Sequence, residues 1–282
     1  MFKRLFMAGA AAAVLGLASF SVGVAHAGGP IALPGGPIYI KFNNREQIAI
    51  VGDTGYANEI NWGVLLVDSI NQGNITGPNT IQSTGTSFFS NGITNNGQIT
   101  GMFYGIEQAT SGVSPFPAVN GRLDLYWRDL DIYAASDIST VLPGVRTSQS
   151  TATGYTDGIF LASIEFASGI TTDSNEFISG TVVPGPNGFT GFATSYGNVD
   201  LAAGGLWADK LDGDWFNTLF GSRDFRFRNI YEADANWGNG PDIFGAFSTD
   251  PATTFVVPAP ATLLLLGAGL VGVAASRRKL SA

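Results

Sequence analysis

Arg122-Leu123-Asp124-Leu125-Tyr126-Trp127-Arg128 alternates without a break: Leu123, Leu125 and Trp127 fall on one side, Arg122, Asp124, Tyr126 and Arg128 on the other. A repeat of two is the period of a strand, so the apolar set faces a core and the charged set faces outward. The same pattern recurs outward from this stretch. Ile38, Ile40 and Phe42 alternate with Tyr39 and Lys41, and Phe225 and Phe227 alternate with Asp224, Arg226 and Arg228. Trp62–Val67, Met102–Ile106, Ile159–Phe166 and Ile243–Phe247 are further apolar runs of strand length. Turn dipeptides separate them: Asn91-Gly92, Asn96-Gly97, Asp157-Gly158, Pro184-Gly185 and Asn187-Gly188. Short strands punctuated by turns predict a mainly β protein with an antiparallel β-sandwich-like body. Helix is scarce. Ile132–Val141 is expected as one short helix. Trp207, Leu211, Trp215 and Leu219, four residues apart, fit either a helical face or a hairpin packing two Trp rings. The polar stretch Thr76–Gln98 is expected as a long loop.

Composition narrows the chemistry. The chain has 282 residues, no cysteine and one histidine, His26. His26 lies in a leader segment described below, so the body has neither residue type. A Ser-His-Asp triad, a Cys-His pair and a His-liganded metal are thereby excluded from it. Without disulfides, stability must come from a core, which a body of this size can build. Between the two terminal segments lie nine basic and twenty-two acidic residues, a net charge of −13. That surface repels nucleic acid and suits an extracellular medium or a bound cation.

The two ends are apolar. Lys3 and Arg4 precede an apolar run from Leu5 to Val24, and Ala25-His26-Ala27 offers small residues at the two positions a signal peptidase reads. Residues 1–27 therefore read as a secretory signal peptide, handled by the secretion translocon, with Ala25 and Ala27 at the cleavage site. At the other end, residues 253–260 read as a Pro-containing linker, 261–276 as a single transmembrane helix and 277–282 as a basic cytoplasmic tail. Arg277, Arg278 and Lys279 act as a stop-transfer cluster that keeps the body, residues 28–252, outside the cytosol. Gly267-Ala268-Gly269-Leu270-Val271-Gly272 spells a dinucleotide fingerprint, but it lies inside this apolar segment without a preceding strand, and reads as close-packing glycines.

Val257-Pro258-Ala259-Pro260, followed by Leu263–Gly267 and the Arg-Arg-Lys cluster, resembles a PEP-CTERM sorting tail. Ala259 stands where that family usually has Glu. The resemblance covers residues 257–282. It implies an exosortase-like processing enzyme as partner, transient anchoring in the inner membrane of a Gram-negative cell, and delivery to the cell surface or extracellular matrix. It further implies a structural or adhesive role in biofilm, floc or exopolysaccharide; the residues of the body themselves offer no catalytic centre, so no enzymatic activity is expected.

Within the body, carboxylates are the main acid–base resource. Asp129 with Asp131, and Asp212 with Asp214, are spaced as turn pairs. Asp209, Asp212 and Asp214 are the preferred cation site; calcium is the ion that oxygen ligands and an acidic extracellular body suit, and no other cofactor is indicated. Two further readings stay open: a carbohydrate-binding module with an exposed Trp or Tyr platform, and a glycoside hydrolase with two carboxyls facing across a cleft. Trp127 is expected in the core and Trp237 on a loop. Arg223, Arg226 and Arg228 are expected to pair with nearby carboxylates.

Overall fold

The computed structural model describes residues 29–49, 52–56, 58–110, 116–139, 152–185 and 188–258. Twelve strands and one short helix follow in order: β1 (Gly36–Ala49), β2 (Glu59–Gly77), β3 (Thr80–Ser90), β4 (Gly97–Gln108), β5 (Ala118–Asp129), β6 (Ile159–Ala167), β7 (Ile178–Gly185), β8 (Gly188–Val199), α1 (Ala208–Leu211), β9 (Phe216–Thr218), β10 (Gly221–Arg223), β11 (Phe225–Ala233) and β12 (Ile243–Val256). Ten of the strands form one antiparallel sheet, and β9 with β10 forms a separate hairpin.

The sheet closes on itself. β1 pairs along one edge with β12, from Gly36 opposite Val256 to Ala49 opposite Ile243. Along its other edge it pairs with β2, from Ile38 opposite Gln72 to Ile48 opposite Asn61. From β2 the ladder runs through β4, β5, β6, β8 and β11 back to β12. β6 and β7 lie end to end between β5 and β8, and β3 and β4 lie end to end along β2. The body is therefore an eight-position antiparallel barrel, not the expected sandwich. The strands read from the sequence, β1, β2, β4, β5, β6, β11 and β12, and their antiparallel sense match that reading. The difference is the β1–β2 ladder, which pairs what would be the two edges of an open sheet and so leaves the ring without one.

Alternation decides what fills the ring. Ile38, Ile40 and Phe42 of β1 point inward, and their register partners carry Val67 of β2, Ile99 of β4 and Leu123, Leu125 and Trp127 of β5 to the same side. All are buried. At this end Ile31 and Leu33 from the segment before β1, Phe89 of β3, Trp207 just before α1 and Leu211 of α1 join the same apolar cluster. The Trp207 indole N–H donates to the carbonyl of Ile31 at 3.2 Å, fixing the plug. The Trp127 ring meets Phe89 edge-on at 5.9 Å. Gly97 is required beside it, because a Cβ there would lie 2.0 Å from the Trp127 ring.

A second layer covers the outer face of β1, β2 and β4. Trp62, Val64 and Met102 pack with Tyr155 and Trp237. The Trp62 indole donates to Gln47 Oε1 at 2.9 Å, and Gln47 Nε2 donates to the Trp237 carbonyl at 3.1 Å. Trp237 thus sits in a short 3-10 turn, Ala235–Trp237, but its ring is buried rather than presented by a loop. Covering on both faces explains why Trp62–Val67 reads as a continuous apolar run.

Other expectations are corrected. Thr76–Gln98 is largely strand: β3 buries Phe89 in the barrel core and Ile81 in a separate cluster with Tyr196 and Phe216, while Thr84, Thr86 and Ser87 are exposed. The expected helix from Ile132 fails over its described residues, 132–139. Asp129 Oδ1 accepts the Asp131 N–H, and the Ser136 N–H turns to Gln98 Oε1 at 2.8 Å, so side chains take the backbone donors a helix would need. Of the two readings of Trp207–Leu219, the hairpin is the closer: helix is confined to Ala208–Leu211, and Trp215 stacks on Phe255 beside β9–β10. The expected linker from Thr253 is strand as far as Val256, and Thr254 and Val256 are fully buried.

Candidate functional site

The inward face of β1 changes character along its length. After Ile38, Ile40 and Phe42 come Asn44, Glu46 and Ile48, each still on the inner side because the period of two is unbroken. Their partners across β12 are Ser248, Ala246 and Phe244, and Asn61 of β2 faces Ile48. Here the barrel is not filled. A cavity of about 420 Å³ lies between these residues and Phe103, Ile106, Phe166, Ile178, Phe189, Phe227 and Tyr231. That volume is within the range of small-molecule sites, and eight-position barrels are wide enough to hold one such ligand. Phe116 and Phe244 line it while remaining partly exposed, so they mark its outward end. Phe189 links that rim to the interior, edge-on to both Phe244 and Tyr231.

Glu46 is the one carboxylate in the lining. It is 6 % exposed. Burial in this apolar chamber pushes its carboxyl up to about 7, opposed by the hydrogen bond that Asn61 Nδ2 donates to Oε2 at 2.8 Å. Across the chamber Tyr231 donates its hydroxyl to the Thr181 carbonyl, and burial, with the Glu46 charge second, pushes the phenol above its ordinary range. Asn44 Oδ1 accepts the Ser248 hydroxyl. Three further polar atoms in the lining are buried with no hydrogen-bond partner among the described residues: Asn44 Nδ2, Asn61 Oδ1 and Asn229 Oδ1. Buried polar atoms are normally paired, so three around one chamber describe a surface shaped for something polar inside it.

The raised value of Glu46 has a direct consequence for stability. The folded state keeps a proton that the unfolded chain, at its ordinary 4.5, releases. The contribution of this group to stability is therefore fully present below about pH 4.5 and is lost as pH rises from there through about 7, about 3 kcal/mol in all. Glu46→Gln should remove this component, and its denaturation midpoint should not fall between pH 5 and 8 as that of the unaltered chain does. Parallel curves for the two would refute the assignment.

Other sites expected from the sequence are placed differently. Asp129 and Asp131 are turn-bound: Asp129 caps the turn, and Asp131 Oδ1 accepts from Asn96 Nδ2 at 2.8 Å. Asp209 is exposed on α1, Asp212 closes that helix and Asp214 lies exposed at a positive φ of 48°. Among the described residues no group of three Asp, Glu, His or Cys side chains is placed to hold a metal ion. Trp62, Trp127, Trp207 and Trp237 are all buried, so none of these four offers a sugar-stacking platform. Arg223 and Arg226 do not find the expected carboxylates. Arg223 donates to the carbonyls of Ser168 and Phe220, and Arg226 to that of Asn79. The ion pairs lie elsewhere, joining Arg45 to Asp234, Arg122 to Glu165 and Asp200, and Arg128 to Asp157.

Sequence reading missed Glu46, Asn44, Asn61 and Asn229. A signal was present for the first two: Asn44 and Glu46 continue the inward alternation of Ile38, Ile40 and Phe42 where an apolar residue is expected.

The start of the sorting segment is docked on the packed end of the barrel. Val256 is buried, the Val257 N–H donates to the Lys210 carbonyl at 2.8 Å, and Pro258 lies against Gly35. Ala25, Ala27, Ala259, Pro260, the apolar segment 261–276 and the Arg277-Arg278-Lys279 cluster lie outside the described residues. Among the described residues no helix is long and apolar enough to cross a membrane. Comparison with known families matches residues 256–279 to the PEP-CTERM protein-sorting motif. No curated protein and no solved structure matches the chain.

Proposed function

We propose that this chain, which carries a PEP-CTERM sorting motif at residues 256–279, is an exported protein sorted by an exosortase-like enzyme whose body is a non-enzymatic binding barrel at the cell surface or in the extracellular matrix. The observation that carries the binding reading is the cavity, apolar at its rim and lined farther in by Glu46, Asn44, Asn61 and Asn229. A carboxylate-based hydrolase is less well supported, because hydrolysis needs two facing carboxyls and the lining has one.

The strand order also favours a particular orientation during anchoring. β12 has Phe244, its second residue, at the cavity rim and ends with Val256 in the packed core, about 40 Å of strand later. The segment leading into β1 lies at the same packed end, with Gly36 opposite Val256. A tail that inserts in a bilayer immediately after Val257-Pro258-Ala259-Pro260 would hold the packed end toward the membrane and the cavity mouth away from it. The structural or adhesive role in biofilm, floc or exopolysaccharide that the family implies is compatible with a displayed barrel of this kind.

Deletion of residues 259–282 tests the sorting step. In an exosortase-bearing host the full chain should partition to the surface and polysaccharide fractions, and the shortened chain should leave them for the soluble periplasmic fraction. Equal surface recovery of both chains would contradict sorting by the tail.

A further inference from the structure

We propose that the cavity takes an amphipathic amine: an apolar body between Phe103, Phe166, Phe189 and Phe244, and a protonated amino head among Glu46, Asn61 and Asn229. This rests on the reading of the barrel as a binding protein and names the ligand class for it.

The argument is a count of hydrogen-bonding capacity. Asn61 spends its donor on Glu46 Oε2, which leaves its own Oδ1 without a partner among the described residues. Asn229 Oδ1 is open in the same way. Among the buried lining atoms without a partner, two are acceptors, Asn61 Oδ1 and Asn229 Oδ1, and one is a donor, Asn44 Nδ2; the Glu46 carboxyl stands beside them as a further acceptor. An ammonium group has donors and no acceptors, so it matches this set. A carboxylate has acceptors and no donors; it would leave Asn61 Oδ1 and Asn229 Oδ1 unfilled and bring a charge of the same sign beside the Glu46 carboxyl. A neutral hydroxyl can satisfy one of the acceptors but brings no charge to Glu46.

The surroundings of Glu46 leave that role to the ligand. Asn61 from β2 is its only hydrogen-bonding neighbour to influence its ionisation, Ala246 of β12 and Gly63 of β2 are its uncharged register partners, and Tyr231 of β11 is the titratable group that feels its charge. Arg45 and Gln47 alternate to the outer face, where Arg45 pairs with Asp234. Desolvation raises Glu46 because no cation compensates it. A bound ammonium would provide that charge and favour the ionised carboxylate. The net charge of −13 on the body also attracts a cation toward the mouth.

The test uses the full chain held in nanodiscs by its tail, with labelled glutamate so that the Glu46 carboxyl resonance is read directly by NMR. Decylamine, decanol and decanoate are the probes. Decylamine should shift that resonance saturably toward the ionised form, with at least about tenfold higher affinity than decanoate, and should weaken about tenfold from pH 8 to pH 5 as Glu46 takes up its proton. Glu46→Gln should lose the preference for the amine while still binding decanol, read through the Asn side-chain amide resonances. If decanoate or decanol binds as tightly as decylamine, the cavity remains a ligand site and the amine assignment is overturned. If none of the three perturbs the lining in either chain, the binding reading of the barrel fails with it.

Discussion

Trp127→Ala should destabilise the barrel by about 3–5 kcal/mol, measured as a lowered denaturant midpoint with the slope unchanged. The ring is fully buried in the largest apolar cluster and packs edge-on against Phe89. It also stands over Gly97 in the neighbouring part of the sheet. Removing it leaves a void that the ladder cannot close, because β4 and β5 are paired residue by residue on either side of it, from Gly97 opposite Asp129 to Gly101 opposite Leu125. Trp215→Ala is the contrast: that ring is half-buried on the outside against Phe216 and Phe255, and its loss should cost less. A coupled pair sharpens the test. Gly97→Ala alone should be destabilising, since its Cβ would overlap the Trp127 ring, and should cost much less when Trp127 is already Ala. A loss under 1 kcal/mol for Trp127→Ala, or additive effects in the pair, would show that the ring does not fill the barrel as described.

What the sequence disclosed follows from how local each signal is. Alternation is a property of five to seven neighbouring residues, so β1, β5 and β11 were legible, and the apolar runs located β2, β4, β6 and β12. Closure is not local. It depends on β1 meeting β2 on one edge and β12, two hundred residues away, on the other, and nothing in the strands themselves distinguishes that from two packed sheets. β3 was hidden because its run of exposed Thr and Ser residues makes the buried residues Ile81 and Phe89 look isolated. Trp237 sits among Asn and Gly residues that suggest an exposed loop, but the Gln47–Trp62 pair draws it onto the outer face of the barrel. Glu46 lies between Arg45 and Gln47 in a polar stretch where the apolar half of the alternation has stopped; its place in the period that Ile38, Ile40 and Phe42 set is its one signal, and the register confirms it as the inward residue of the three. The sorting motif was legible because its information is in the order of residues rather than in a fold.

The last strand sets where the body ends, and two shortened chains should separate sharply. A chain ending at Pro258 retains all of β12 and should unfold cooperatively at about the same denaturant midpoint as the full body. A chain ending at residue 252 loses Thr253–Val256, and with them the pairs that join Gly36–Tyr39 of β1 to β12. It also loses Val256 from the core, worth about 1.5–3 kcal/mol by burial alone, and the Phe255 ring that stacks on Trp215. Each ladder hydrogen bond removed costs about a further 1 kcal/mol, and the opened edge of β1 becomes available for pairing with a second chain. The expected result is loss of most of the folded population and concentration-dependent association, read by circular dichroism and by sedimentation. A chain ending at 252 that stayed monomeric and as stable as the one ending at 258 would mean that the barrel does not depend on its final four residues. In that case Val256 would belong to the sorting segment alone. If the dependence holds, Val256 is shared: it is the first residue of the matched motif and among the last of the core. An enzyme acting on the sorting motif would then meet a segment whose first residue is buried in a folded barrel.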